Sequence, residues 1–358
     1  MSEIIAMHCH VAEQKSSIKE FLRECKEAGV NTISITDHKT LAAYTNKIAG
    51  LSNEELEEFK DIKAIVGLEL TGAYEYINSA GQKHNLPVDI LGYNMDINKV
   101  AILNDWVSNN YISTDSYEFQ SAELSRLISV AKAVGFNADF DNLKITEDNK
   151  FAARLISNAL IDSEYVEYNI KQGLDENLKK DPRSFFTSYC KNPDSPFYID
   201  MTQYLPKIED AMDVIHKCGG KTILPHTAAY FPKGGNEIQK KLAWDESKRF
   251  TETIFEEYKD KLDGIEIIHP CYEDNEEFKK FLDDFSKNNN LYVVGGTDYH
   301  VKGERVATDM NDEPITDERL PGIETWIETY GLKEIKEIAC EEKAKVNNTE
   351  EVAYGGER

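Results

Sequence analysis

Glu3-Ile4-Ile5-Ala6-Met7-His8-Cys9-His10 is an apolar run that closes on two histidines spaced two apart. Such a run reads as a short buried strand, and side chains on a strand alternate between its faces. His8 and His10 therefore point one way, while Met7 and Cys9 point the other. A second run repeats the device far downstream. Leu291-Tyr292-Val293-Val294-Gly295-Gly296 leads into Thr297-Asp298-Tyr299-His300, which places Asp298 and His300 two apart at a strand exit. Neutral imidazoles with a carboxylate form a donor set that binds divalent zinc, manganese or iron. The pattern points to a metallohydrolase.

Working outward, Ser16 to Ala28 has helical spacing of Ile18, Phe21, Leu22 and Cys25, with Gly29 at its end. Asn31 to Thr36 is a β-branched strand that delivers Asp37 and His38. A helix at Asn53 to Phe59 precedes a strand at Ile62 to Leu70, and Val88 to Tyr93 is one more short strand. This alternation predicts a mainly parallel sheet or barrel covered by helices. Residues 98–206 read as a mostly helical insertion or cap, with helices at Tyr117 to Val134 and Phe151 to Leu160. Alternation resumes with helix Lys207 to Lys217 and strand Lys221 to Leu224, which ends at His226. Strand Gly264 to Ile268 ends at His269, and helix Glu276 to Lys287 follows. The expected division is 1–97 and 207–340 as one α/β domain, 98–206 as the insertion, and 341–358 as a polar tail.

The chain of 358 residues carries 41 Lys and Arg against 65 Asp and Glu, a formal charge of -24. That balance argues against long nucleic acid, whose binding rests on basic contacts to phosphate. A small anionic substrate remains compatible, because bound cations dominate their local field. The six cysteines show no C-x-x-C pair and read as reduced thiols. With no signal peptide or long apolar segment, the expectation is a cytoplasmic protein with no membrane partner. Oligomeric state is left open.

Taken in order, His8-Cys9-His10, Thr36-Asp37-His38, Gly67-Leu68-Glu69, Gly219-Gly220 ahead of Pro225-His226, Gly264-Ile265-Glu266 and Gly296-Thr297-Asp298-Tyr299-His300 resemble the motifs of the PHP (polymerase and histidinol phosphatase) family. The resemblance covers roughly residues 3–95 and 207–300. It implies a distorted (β/α)7 barrel of PHP type with two or three divalent ions (Mn, Zn or Fe) at the C-terminal strand ends, where barrel enzymes place their chemistry. By resemblance, His8, His10 and Asp298 hold the first ion. Glu69 bridges to a second, completed by His226, and His38 with His300 hold a third.

This chain departs from the family at several positions. Lys15 stands where a ligand is usual, and Glu13 is the substitute. Asp89 replaces a histidine in the second site; as a harder ligand it favours manganese or iron over zinc. His84 is the alternative there. Phe151-Ala152-Ala153-Arg154-Leu155 weakly resembles the family's arginine-bearing helix.

The implied activity is hydrolysis of a small phosphorylated substrate by metal-activated water, with Asp298, His269 and Arg154 as catalytic candidates. His269 would act as substrate contact or general acid, and Arg154 would bind phosphate. Asp37 reads equally as an orienter of a ligand histidine or as a helix N-cap, whereas His216 leans structural. One alternative is a nucleotide phosphatase or short-oligonucleotide nuclease using Tyr117, Phe151 or Tyr189 for base stacking. Another is a regulatory metal-binding module that has lost catalysis.

Overall fold

The computed structural model describes residues 2–11, 17–114, 116–192, 194–231, 236–272, 275–300, 303–309, 311–323 and 332–343. The strands are β1 (Ile5–Cys9), β2 (Thr32–Ile35), β3 (Lys63–Ala64), β4 (Gly67–Ile77), β5 (Lys83–Tyr93), β6 (Lys221–Leu224), β7 (Gly264–Ile268), β8 (Tyr292–Gly295) and β9 (Lys333–Glu334). The helices are α1 (Ile18–Glu27), α2 (Asn53–Glu58), α3 (Val100–Asn110), α4 (Tyr117–Ala133), α5 (Ala152–Leu160), α6 (Val166–Lys171), α7 (Ile208–Lys217), α8 (Glu237–Tyr258) and α9 (Glu276–Asn288). They fall into two compact units, one formed by Met1–Asn110 with Pro206–Arg358 and the other by Tyr111–Leu205.

The first unit mixes strands and helices. Every residue of β1 is buried, as a strand covered on both faces requires. α1 starts with a capping box between Ser17 and Glu20, and it buries the Ile18, Phe21, Leu22 and Cys25 stripe read from the sequence. The strands make two sheets, β1-β2-β3-β9 and β4-β5-β6-β7-β8. β1, β2 and β3 run parallel, as do β6, β7 and β8, but β4-β5 and β5-β6 are antiparallel.

The described strands do not close into the expected (β/α)7 barrel. After Ala64 the chain leaves the first sheet, and β4 and β5, of eleven residues each, form a hairpin. A hairpin of this kind interrupts the repeated strand–helix unit of a (β/α) barrel. Isolated parallel bridges, Cys9 to Tyr299 and His38 to Glu69, join the sheets where their strands exit.

Some boundaries also differ from the sequence reading. The single strand expected at Ile62 to Leu70 is two, β3 and β4. α3, assigned to the insertion from sequence, groups with the α/β unit. α8 was not anticipated, although Ala243, Trp244, Phe250 and Ile254 recur at helical spacing and are buried. The polar tail begins as helix through residue 343, with Lys343 donating to the Leu51 carbonyl; residues 344–358 lie outside the described residues. Among the described residues no helix is long and apolar enough to cross a membrane.

The second unit holds α4, α5 and α6 with short helical turns and, among its described residues, no strand. Leu127, Ala131, Ile156, Leu160, Phe185 and Phe197 form its core. Tyr189, one of the stacking candidates, is engaged in that core. Its ring stacks 4.9 Å from Phe185 and its hydroxyl accepts the Asp175 N–H. Tyr117 and Phe151 are exposed.

Candidate metal centre

Strand exits assemble the site. β1 delivers His8 and His10, the turn after β2 delivers His38, and β4 supplies Glu69. β5 supplies Asp89, the exit of β6 supplies His226, and the exit of β8 supplies Asp298 and His300. β1 and β8 approach so closely that a Cβ at Gly296 would collide with His8, so only glycine fits there. His226 and Asp298 take positive φ values of 30° and 54°, and Lys39, just after His38, sits at 60°. Non-glycine residues in this region are strained, and such strain concentrates where side chains must be aimed at a site.

Glu69 lies at the centre. Its Oε2 is 3.3 Å from His10 Nε2 and 3.3 Å from His38 Nδ1, while its Oε1 is 3.3 Å from His226 Nε2. Asp298 Oδ1 stands 3.4 Å from His8 Nε2 and 3.2 Å from His10 Nε2. Asp89 Oδ2 is 3.9 Å from His226 Nε2. The His10 ring stacks on both His38 and His300, with centroids 4.6 Å and 4.3 Å away. His300 holds its Nδ1 2.7 Å from the Asp298 carbonyl, which leaves Nε2 for a ligand.

The electrostatics follow from crowding imidazoles and carboxylates in a buried place. Burial opposes ionisation of Glu69, but the neighbouring imidazoles of His226 and His8 outweigh it and hold the carboxyl well below its usual range. Asp298 is likewise lowered against its burial, by His10 and His269. Burial and then the charge of Glu69 push Asp89 up to about 6. His226 is raised to about 9, because Glu69 and Asp89 outweigh its burial.

These residues fit divalent ions. Ligand atoms about 2.1 Å from a tetrahedral ion stand about 3.4 Å apart from one another, and the distances around Glu69 and Asp298 match that edge. Among the described residues His8 Nε2 is buried without a hydrogen-bond partner, although its ring is fixed from the other side. Among the described residues, groups of three donors within reach of one ion are His8/His10/Glu69, His8/His226/Asp298, Glu69/Asp89/His226, His10/His38/His300 and His8/Glu266/His269. His10 thus lies within reach of the third position read from His38 and His300.

His84 is not part of the cluster. It pairs with Tyr76 in the hairpin and bonds Asn78 at 2.9 Å, so Asp89 is the β5 residue near His226. Glu13 and Lys15 lie outside the described residues. Asp37 is the N-cap of no helix among the described residues; its Oδ1 accepts the Val11 N–H at 2.5 Å and ties down the exit of β1. His216 bonds Asp263 at 2.8 Å, away from the cluster. His269 is buried, with Nε2 3.8 Å from Asp298 Oδ2.

Arg154 belongs to the helical unit. There it lines a cavity of about 400 Å³ with Phe119, Phe151, Arg183 and Phe186. The sequence reading gave no role to Glu266, which bonds His8; the available signal was a carboxylate inside an otherwise apolar strand.

No protein-family model matches the chain, and no curated protein matches it by sequence. Solved structures do. An amidohydrolase from Chromobacterium violaceum, whose structure holds sulfate and no metal, superposes with a TM-score of 0.55 at 17% identity, over 92% of this chain and 98% of that one. A candidate metal-dependent phosphoesterase from Bifidobacterium adolescentis superposes with a TM-score of 0.51 at 17% identity, over 94% of this chain and 99% of that one. Both span almost their whole length, so the chain shares their fold. At this identity the likeness speaks to the fold alone, and chemistry has to be argued from the residues.

Proposed function

We propose that the chain is a metal-dependent phosphoesterase that hydrolyses a phosphate ester of a small molecule. The observation that carries this reading is Glu69, whose two oxygens face histidines from opposite sides of the cluster as a carboxylate bridging two ions would. His8, His10, Glu69 and Asp298 would hold one ion; Glu69, Asp89 and His226 a second; His38 and His300 a third. Bound divalent ions supply Lewis acidity toward the phosphoryl group and bring water ionisation near neutrality.

The protein's own residues orient and donate. His269 Nδ1 accepts the Cys271 N–H at 3.1 Å, so the neutral ring carries its proton on Nε2, on the side of Asp298. Burial, working against the charge of Glu266, lowers the pKa of His269 and keeps the ring neutral. From Nε2 it can hydrogen-bond to charge developing on a leaving oxygen.

The manganese-supplemented chain is expected to release phosphate from small phosphomonoesters. Asp298→Asn should lose about a thousandfold in turnover while keeping its circular dichroism spectrum. Undiminished activity of metal-replete Asp298→Asn rejects the proposal.

A second reading has support in the amidohydrolase neighbour, since the same ions polarise a carbonyl as readily as a phosphoryl group. Parallel assays with amide and phosphomonoester substrates separate the two. Nucleotide bisphosphates in the same panel test the nucleotide alternative. Metal binding without any turnover would favour the regulatory module.

A further inference from the structure

We infer that Glu266 is a positioning residue that couples the two metal positions, gripping one ligand of each from behind. The inference rests on the metal-centre reading above, and it concerns a carboxylate to which that reading assigns no ion.

Glu266 sits in the middle of β7, between Ile265 and Ile267, and is fully buried. A carboxylate in such a strand is costly unless both oxygens are satisfied. Here each oxygen has a separate task. Oε1 lies 3.1 Å from His8 Nδ1, and Oε2 accepts the His226 backbone N–H at 3.0 Å. His8 arrives on β1 from one sheet and His226 follows β6 in the other. The pairing of β7 with β8 shifts between Glu266 and Ile268, an irregularity that re-aims side chains at the end of the strand.

Each bond has a consequence for a ligand. An acceptor at His8 Nδ1 fixes the proton there and leaves Nε2 bare toward Asp298 Oδ1, 3.4 Å away. The bond to His226 acts on the backbone at φ 30°, a conformation that a non-glycine residue holds only when its surroundings impose it. His8 serves the first ion and His226 the second. A single side chain thus sets the aim of both, and loosening it should be felt at both. Glu266, His8 and His269 could themselves reach a common ion. That arrangement would need His8 to turn its ligating nitrogen away from Asp298, and it would take Oε1 from its present bond.

Calorimetric titration of the full chain with Mn²⁺ tests the inference, comparing the unaltered protein with Glu266→Gln, Glu266→Asp and His226→Ala. A glutamine cannot accept from both donors, because its amide must oppose one of them. The expected result for Glu266→Gln is two sites weakened together, by about 10- to 100-fold each, with a native circular dichroism spectrum. His226→Ala should weaken one site only. Glu266→Asp keeps the charge and both acceptors, and should fall between. Affinities within twofold of the unaltered chain, or weakening of one site alone, overturn the inference and leave the metal-centre reading intact. Absence of Mn²⁺ binding to the unaltered chain overturns both. Should Glu266→Gln fail to fold, the titration of Glu266→Asp decides by the same criteria.

Discussion

Glu69 and His226 meet at 3.3 Å across 157 residues of sequence, the carboxylate on a hairpin strand and the imidazole at a parallel-strand exit. Neither element is polar in its surroundings; β4 is buried through its first four residues and β6 through its last three. Folding therefore carries a carboxylate and a histidine into an apolar interior and holds them against each other. That arrangement is costly without a further partner for their remaining lone pairs, and a cation shared with His10 and Asp298 supplies one.

Glu69→Gln is expected to remove the bridge while keeping the shape of the side chain. Metal content measured by mass spectrometry should fall by at least one ion per chain, and turnover by about a thousandfold. A full metal complement in this variant would show that Glu69 does not bridge.

Metal affinity should depend on pH in a definite direction. His226 is raised to about 9 in the metal-free chain, since its two carboxylate neighbours outweigh burial. Only the neutral ring ligates, so an ion must displace its proton at any lower pH. Affinity is expected to rise as pH increases from 6 toward 9, with proton release on binding. Titrations in buffers of different ionisation enthalpy measure that release; a flat profile would contradict the assignment.

Asp263 offers a control away from the cluster. Burial raises its pKa, but hydrogen bonds from His216, Lys221 and the Thr222 N–H outweigh this and lower it to about 2. A carboxylate depressed on folding stabilises above its unfolded pKa of about 3.9, and this contribution is lost as pH falls through about 2. Asp263→Asn should cost about 2 kcal/mol at pH 7 and flatten the acid limb of the stability curve. Its Mn²⁺ affinity should stay unchanged. Urea denaturation at several pH values reads the first two effects and calorimetry the third.

Arg154 is exposed on the helical unit beside a cavity walled by Phe119, Phe151 and Phe186. If it contacts substrate phosphate, Arg154→Ala should raise KM about tenfold, the loss of one charge-assisted hydrogen bond, with metal content unchanged. An unchanged KM would remove Arg154 from the candidate site.

Much of the cluster was legible because period-two alternation aims residues at strand exits. His8 with His10 needed only the rule that i and i+2 share a face, whereas Asp298 and His300 lie past the end of β8, with Asp298 at φ 54°, and were picked out by their motif. Glu69 was legible through its motif, but the strand that carries it was not. An apolar run from Ile62 to Leu70 does not reveal that the chain changes sheets at Ile65 and Val66. Nor did the reading extend β4 past Leu70, because Thr71 to Ile77 mixes polar and aromatic residues on two differently buried faces. The expected barrel does not emerge as one closed sheet for the same reason, since antiparallel pairing of β4 with β5 is set by tertiary contacts and a turn at Asn78 to Gln82. Glu266 was visible as part of a motif, yet its role depends on His8 and His226 arriving from two other strands, which no local pattern encodes. His84 and Asp89 share a strand, and the register of the hairpin chose between them.

Anomalous diffraction from crystals of the manganese-loaded chain tests the central claim most directly. The account predicts at least two manganese peaks, one contacted by His8, His10 and Asp298, another by Asp89 and His226, with Glu69 touching both. A single peak, or peaks that leave Glu69 uncoordinated, would contradict it.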